Sequence, residues 1–209
     1  MKLATSAMAD LVTTWFERFE LGEVKHDEEV FPADRLVIEV IQRADQARRR
    51  AEWKTALRDC HLALTAATGQ QSDATGEKTD TDAHRRAIYT KAAAHLYLGL
   101  VLLDNSAVLK KGATGYLDAA LRQCQKSAEG FHRSKSRRAE GIAWAAIGLI
   151  NAGRRKWADA LSAFQQGVAV IDEMAPLDSS LKELRRQITQ MIPMILDCYE
   201  QEAGPDHMG

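Results

Sequence analysis

Two adjoining segments decide the fold: Trp144-Ala-Ala-Ile147-Gly148-Leu-Ile-Asn151 and Trp157-Ala-Asp-Ala160-Leu161-Ser-Ala-Phe164-Gln-Gln-Gly167. Both repeat apolar residues three and four positions apart, the period of one helix face. Gly153 and the polar Arg154-Arg155-Lys156 lie between them, so the pattern predicts two helices joined by a short turn. Gly148 is expected to meet Ala160, letting the two backbones approach, while Trp144, Trp157 and Phe164 fill the space beside and beneath that contact. Such a pair buries only part of its apolar surface and needs a stacked neighbour.

Working outward, the same frame recurs. His95-Leu-Tyr-Leu98-Gly99-Leu-Val-Leu102 is followed by Ala120-Leu121-Arg-Gln-Cys124-Gln-Lys-Ser127, with extra residues near Asn105 to Ala113 lengthening the turn. Val40-Ile-Gln-Arg43-Ala44-Asp-Gln-Ala47 is followed by Trp53-Lys-Thr-Ala56-Leu57-Arg-Asp-Cys60-His-Leu-Ala63. Ala56-Leu57, Ala120-Leu121 and Ala160-Leu161 align, and Ala44 and Gly99 stand where Gly148 stands. The last pair resembles the tetratricopeptide repeat, whose pattern is W-x2-L-G-x2-Y, then A-x3-F, then proline. Trp144, Ile147, Gly148, Ala160 and Phe164 match; Asn151 replaces the tyrosine and Asp172 stands where the proline usually does. The resemblance covers roughly residues 34–174. It implies an all-α protein, an α-solenoid of about three helix-turn-helix pairs near 34–68, 84–133 and 136–174.

The flanks read as capping helices. Met8, Leu11, Val12, Trp15, Phe16 and Phe19 mark an amphipathic helix within residues 1–22, ended by Gly22. An acidic connector, Glu23 to Glu29, leads to Pro32, a plausible entry to the helix carrying Leu36, Val37, Val40 and Ile41. Gly69 to Asp82 has no large apolar residue and reads as a flexible loop. After Pro176, Ser180 and Glu183 form a capping-box pattern. Leu181, Leu184, Ile188, Ile192, Ile195 and Tyr199 then give a closing helix over 178–201, expected to kink at Pro193, with a disordered tail at 202–209.

Composition narrows the function. The chain has 209 residues, 45% of them hydrophobic, and 28 basic against 29 acidic side chains give a net charge of −1. That balance suggests neither a nucleic-acid binder nor a membrane-surface protein. Cys60, Cys124 and Cys198 form no disulfide framework and suit the cytoplasm. Asp10, Glu17 and Arg18 break any leader-like run, and no apolar stretch is long enough to span a membrane. Neither a GxxxxGK[ST] nor a GxGxxG phosphate loop is present. His26-Asp27-Glu28-Glu29 gathers metal-ligand types, but an acidic connector gives the same letters, so no metal is expected. Cys60 and Cys124 occupy the place of Phe164 and read as core thiols rather than as a nucleophile beside His61. His95 reads as a packing residue with one polar handle. Arg48-Arg49-Arg50, the stretch from His132 to Arg138, and Arg154-Arg155-Lys156 lie near helix ends, where cations complement the dipole; clustered on one edge they would bind phosphate or an acidic partner.

The family resemblance implies a non-enzymatic protein-interaction module without a cofactor, in which the first helix of each pair lines a concave surface. The residues expected there are Ile38, Ile41, Asp45, Arg48 and Arg49 in the first pair. The second offers Ala93, Leu96, Leu100 and Leu103, and the third Ile142, Ala145 and Leu149. Family members that clamp the acidic carboxyl terminus of heat-shock chaperones present lysine, asparagine and arginine there, and the second and third pairs lack them. A trough greasy along two pairs and charged at one end suits an amphipathic helix or apolar peptide with an acidic end. The occupant is either a partner protein or the chain's own terminal helices, and self-association is open. Competing readings are a regulatory or sensory helical domain of a larger signalling protein, a helical enzyme with a dispersed site, and a nucleic-acid binder.

Overall fold

A computed structural model describes residues 5–17, 32–73, 81–108, 113–174, 177 and 179–203. Among these residues every regular element is a helix. They are α1 (Thr5–Phe16), α2 (Pro32–Arg49), α3 (Trp53–Asp73), α4 (Thr81–Val108), α5 (Ala113–Arg133), α6 (Arg137–Gly153), α7 (Trp157–Asp172) and α8 (Ser179–Ala203). From α2 onward each helix packs against the next, and α1 packs on α4 and α6.

Pro32 opens α2, where its missing N–H and fixed φ cost nothing. Several residues expected to break helices do not. Residues 69–73 extend α3 and residues 105–108 extend α4, because a helix already nucleated gains a hydrogen bond for each polar residue it adds. Gly115 lies in the first turn of α5, whose N–H groups have no intrahelical partner to lose. Glu202 and Ala203 belong to α8 rather than to a tail, and Pro193 lies inside it. The acidic connector with His26-Asp27-Glu28-Glu29, the Gly22 stop, residues 74–80 and 109–112, and the Ser180 side chain of the expected capping box lie outside the described residues.

Three tight junctions share one geometry. Ala51, Lys135 and Arg155 adopt φ of 59°, 62° and 58°. In each junction the next residue's N–H reaches back five positions: Glu52 to the Ala47 carbonyl, Ser136 to Phe131 and Lys156 to Asn151, all at 2.9 Å. That is the Schellman closure, which satisfies carbonyls the helix end would orphan. The left-handed residue after α6 is Arg155, not the nearby Gly153, which remains helical.

The expected close approaches inside the pairs are present, with one change of partner. A Cβ on Gly99 would lie 2.6 Å from Cys124 Sγ and 3.2 Å from the Ala120 carbonyl oxygen. A Cβ on Gly148 would lie 2.9 Å from the Phe164 ring, so the ring and not Ala160 fills the space. Cys60 and Cys124 are buried core thiols. Burial pushes both up to about 12, with Asp59 and Asp45 adding to the effect at Cys60. Residues 92–103 of α4 are buried on nearly every side, all but His95 and Leu102, because α1, α2, α3 and α5 cover the helix.

Candidate functional site

The face expected to bind a partner is built by α2, α4 and α6, and the structure lays α1 over it. Ala9, Val12 and Trp15, on one stripe of α1, are buried, as is Thr13. Trp15 donates its indole N–H to Gln187 of α8, and Thr13 donates to the Ala9 carbonyl at 2.9 Å. α1 packs directly on α4 and α6, and its charged side chains reach α2.

A buried ion cluster fastens this helix. Arg48 of α2 is itself only 1% exposed and pairs with three carboxylates: Asp45 of its own helix at 2.8 Å, Asp10 of α1 at 2.9 Å, and Asp104 of α4. At the rim, Arg49 bonds Asp45 at 2.6 Å and Glu17 at 3.4 Å. Burial opposes the charge on Arg48, but Asp45 and Asp104 raise its pKa well above the ordinary value. Burial dominates at Asp104, pushing its carboxyl up to about 6 against the pull of Arg48, with Asp10 and Asp45 adding to the rise.

This arrangement changes the status of the sequence-predicted residues. Ile41, Asp45, Arg48, Ala93, Leu96, Leu100, Leu103, Ile142, Ala145 and Leu149 are all buried, Ile38 is half-buried, and Arg49 alone is exposed. An open trough is therefore not what the folded chain presents: the apolar residues are inside and Arg48 is spent on internal carboxylates. Sequence reasoning missed Asp10, Thr13, Asp104 and Gln187. The available signal was polar residues set within apolar helical stripes, as Asp10 and Thr13 are among Ala9, Val12 and Trp15.

The cationic clusters are largely neutralised. Arg137 bonds the buried Glu140 at 2.8 Å and Glu173 at 3.2 Å, and its pKa is raised by the hydrogen bond to Glu140. Arg154 bonds Asp118 at 2.6 Å, and Arg155 bonds Glu202 at 3.1 Å. These pairs favour the structural role over phosphate binding. His95 Nδ1 lies 2.8 Å from Gln123 Oε1. Its pKa is lowered by burial, which outweighs the Gln123 hydrogen bond and is reinforced by Lys126 and Lys91. Among the described residues no group of three His, Cys, Asp or Glu could hold a metal ion, and no helix is long and apolar enough to cross a membrane.

No protein-family model, curated protein or solved structure matches this chain.

Proposed function

We propose that this protein is a non-enzymatic interaction module, a tetratricopeptide-like α-solenoid of three helix pairs whose concave face binds an amphipathic helix. α1 is the resident ligand of that face, and a partner helix with the same pattern takes its place. The observation that carries the reading is the seating of α1: a short amphipathic helix buries Ala9, Val12 and Trp15 while offering one carboxylate, Asp10, to Arg48. Helix-in-groove recognition uses these parts, apolar anchors three and four residues apart with one charge to fix register. The aligned pairs, with Gly99 and Gly148 at their close approaches, support the repeat reading.

A labelled peptide of residues 5–17 tests it against the whole chain. Trp15→Ala in the protein weakens the resident helix, so the peptide is expected to bind this variant more tightly than the parent. A peptide carrying Asp10→Lys and Trp15→Ala is expected not to bind. A variant that unfolds, or that stays folded and binds no peptide, would make α1 ordinary core and defeat the reading.

A further inference from the structure

α8 carries its charges in the wrong order for a helix on its own. Lys182, Arg185 and Arg186, with Glu183 among them, stand in its first two turns, a net positive end, and Asp197, Glu200 and Glu202 stand in its last two. The positive end of the helix dipole lies at the amino terminus, so this order is unfavourable within α8. Arg185 and Glu202 have partners elsewhere, in Asp172 and Arg155, and Arg186 pairs with Glu183 of its own helix at 2.7 Å. Lys182, Asp197 and Glu200 are exposed and form no ion pair among the described residues.

These residues belong to one stripe. Lys182, Arg186, Thr189, Pro193, Leu196 and Glu200 recur at three- and four-residue spacing and are all exposed, opposite the buried Leu184, Ile188, Met191 and Ile195. The stripe is not simply wet: Leu196 on it is 39% exposed, and Tyr199, at the border with the buried face, is 51% exposed. Beside its amino-terminal half runs a groove of about 680 Å³, lined by Leu177, Thr189, Gln190 and Pro193 and by the charged Asp172, Lys182, Arg185 and Arg186.

We infer that this face of α8 is a homodimer interface, on which a second copy of the chain lays its own α8 antiparallel about a two-fold axis that passes between Thr189 and Pro193, level with Met191. An isologous contact requires a surface complementary to itself, and this stripe meets the requirement. Reversing the helix about Met191 sets Lys182 opposite Glu200 of the second copy, Thr189 opposite its Pro193, and Arg186 opposite its Leu196 and Asp197. Leu196 of each copy then lies over the groove of the other. A parallel arrangement would set like charges together. Exposed ion pairs contribute little affinity, so burial of Leu196 and Pro193 drives association while the charges fix its direction.

Sedimentation equilibrium of the full chain across a concentration series tests the inference. The parent is expected to approach twice its 23.2 kDa mass. Lys182→Glu with Arg186→Glu is expected to raise the dimer dissociation constant about tenfold or more. Adding Asp197→Lys and Glu200→Lys to that variant restores opposite signs across the axis and is expected to restore the dimer. Circular dichroism checks that each variant remains helical. Three results would each overturn the proposal: a single-copy mass for the parent at every concentration, an unchanged dimer in the doubly reversed variant, or no recovery in the fourfold variant. The first would leave the face to a different protein.

Discussion

Arg48 joins two helices that the chain separates widely: its guanidinium in α2 lies 2.9 Å from Asp10 in α1 while also holding Asp104 of α4. The two carboxylates are unequal, since the Asp10 side chain is 53% exposed and that of Asp104 only 4%. Arg48→Ala leaves the buried Asp104 without its cation, while Asp45 keeps Arg49 at 2.6 Å, and is expected to cost about 3 to 5 kcal/mol. Asp10→Ala removes a pair that water already screens and is expected to cost about 0 to 1 kcal/mol. Urea denaturation of both variants measures the difference. Equal losses would mean that Arg48 acts only through α1.

Asp104 sets a pH dependence. Its folded pKa, about 6, lies above the ordinary carboxylate value, so over that interval the folded state binds more protons than the unfolded state. Stability from this group therefore rises as pH falls from 7 through 6 toward 4, opposite to a carboxylate whose pKa is depressed. The size is on the order of 1 to 3 kcal/mol. Asp104→Asn keeps an acceptor for Arg48 without the titration, so the difference between parent and variant melting temperatures is expected to change between pH 7 and pH 5. A constant difference would mean that Asp104 titrates normally.

The packed pairs make a second stability test. Gly148→Leu drives a side chain into the Phe164 ring, which a Cβ alone would approach to 2.9 Å, and is expected to cost about 1 to 3 kcal/mol through overpacking. Trp157 is only half-buried, its indole N–H bonding Glu202 at 2.8 Å. Trp157→Ala is accordingly expected to cost about 2 kcal/mol, less than a fully buried tryptophan would. If Gly148→Leu melts with the parent, the α6–α7 crossing is looser than drawn.

The helical content and the packed crossings were legible because they are written in short-range periodicity: Gly99 against Ala120, Gly148 beside Phe164, and Cys60 and Cys124 inside. The candidate site was legible in its residues but not in its state. Leu96, Leu100 and Leu149 were assigned to one face, yet nothing local in them says whether that face is wet or covered. The answer depends on α1, whose seating on α4 and α6 is a long-range event. Arg48 misled for the same reason. In a run of three arginines each looks exposed, and only the carboxylates of Asp10 and Asp104, contributed by α1 and α4, explain why the first of them, Arg48, is hidden.

The junctions were less legible still, because helix stops were sought at glycines and the left-handed turns fall on Ala51, Lys135 and Arg155. For a residue with a Cβ that conformation costs about 1 to 2 kcal/mol, which glycine does not incur. Glycine gives back part of the gain, since its freer unfolded chain loses about 0.4 to 1 kcal/mol more entropy on folding. Ala51 is the cleanest site: it is exposed, its N–H to the Arg48 carbonyl at 2.9 Å is a backbone bond that glycine keeps, and its methyl makes no charge contact. Ala51→Gly is therefore expected to stabilise the protein by about 0.5 to 1 kcal/mol. The same change at Arg155 is expected to gain less, because it also deletes the 3.1 Å pair with Glu202. Thermal melts of Ala51→Gly and Arg155→Gly beside the parent rank the two. A lower melting temperature for Ala51→Gly would mean that the α2–α3 turn does not hold its left-handed residue in solution.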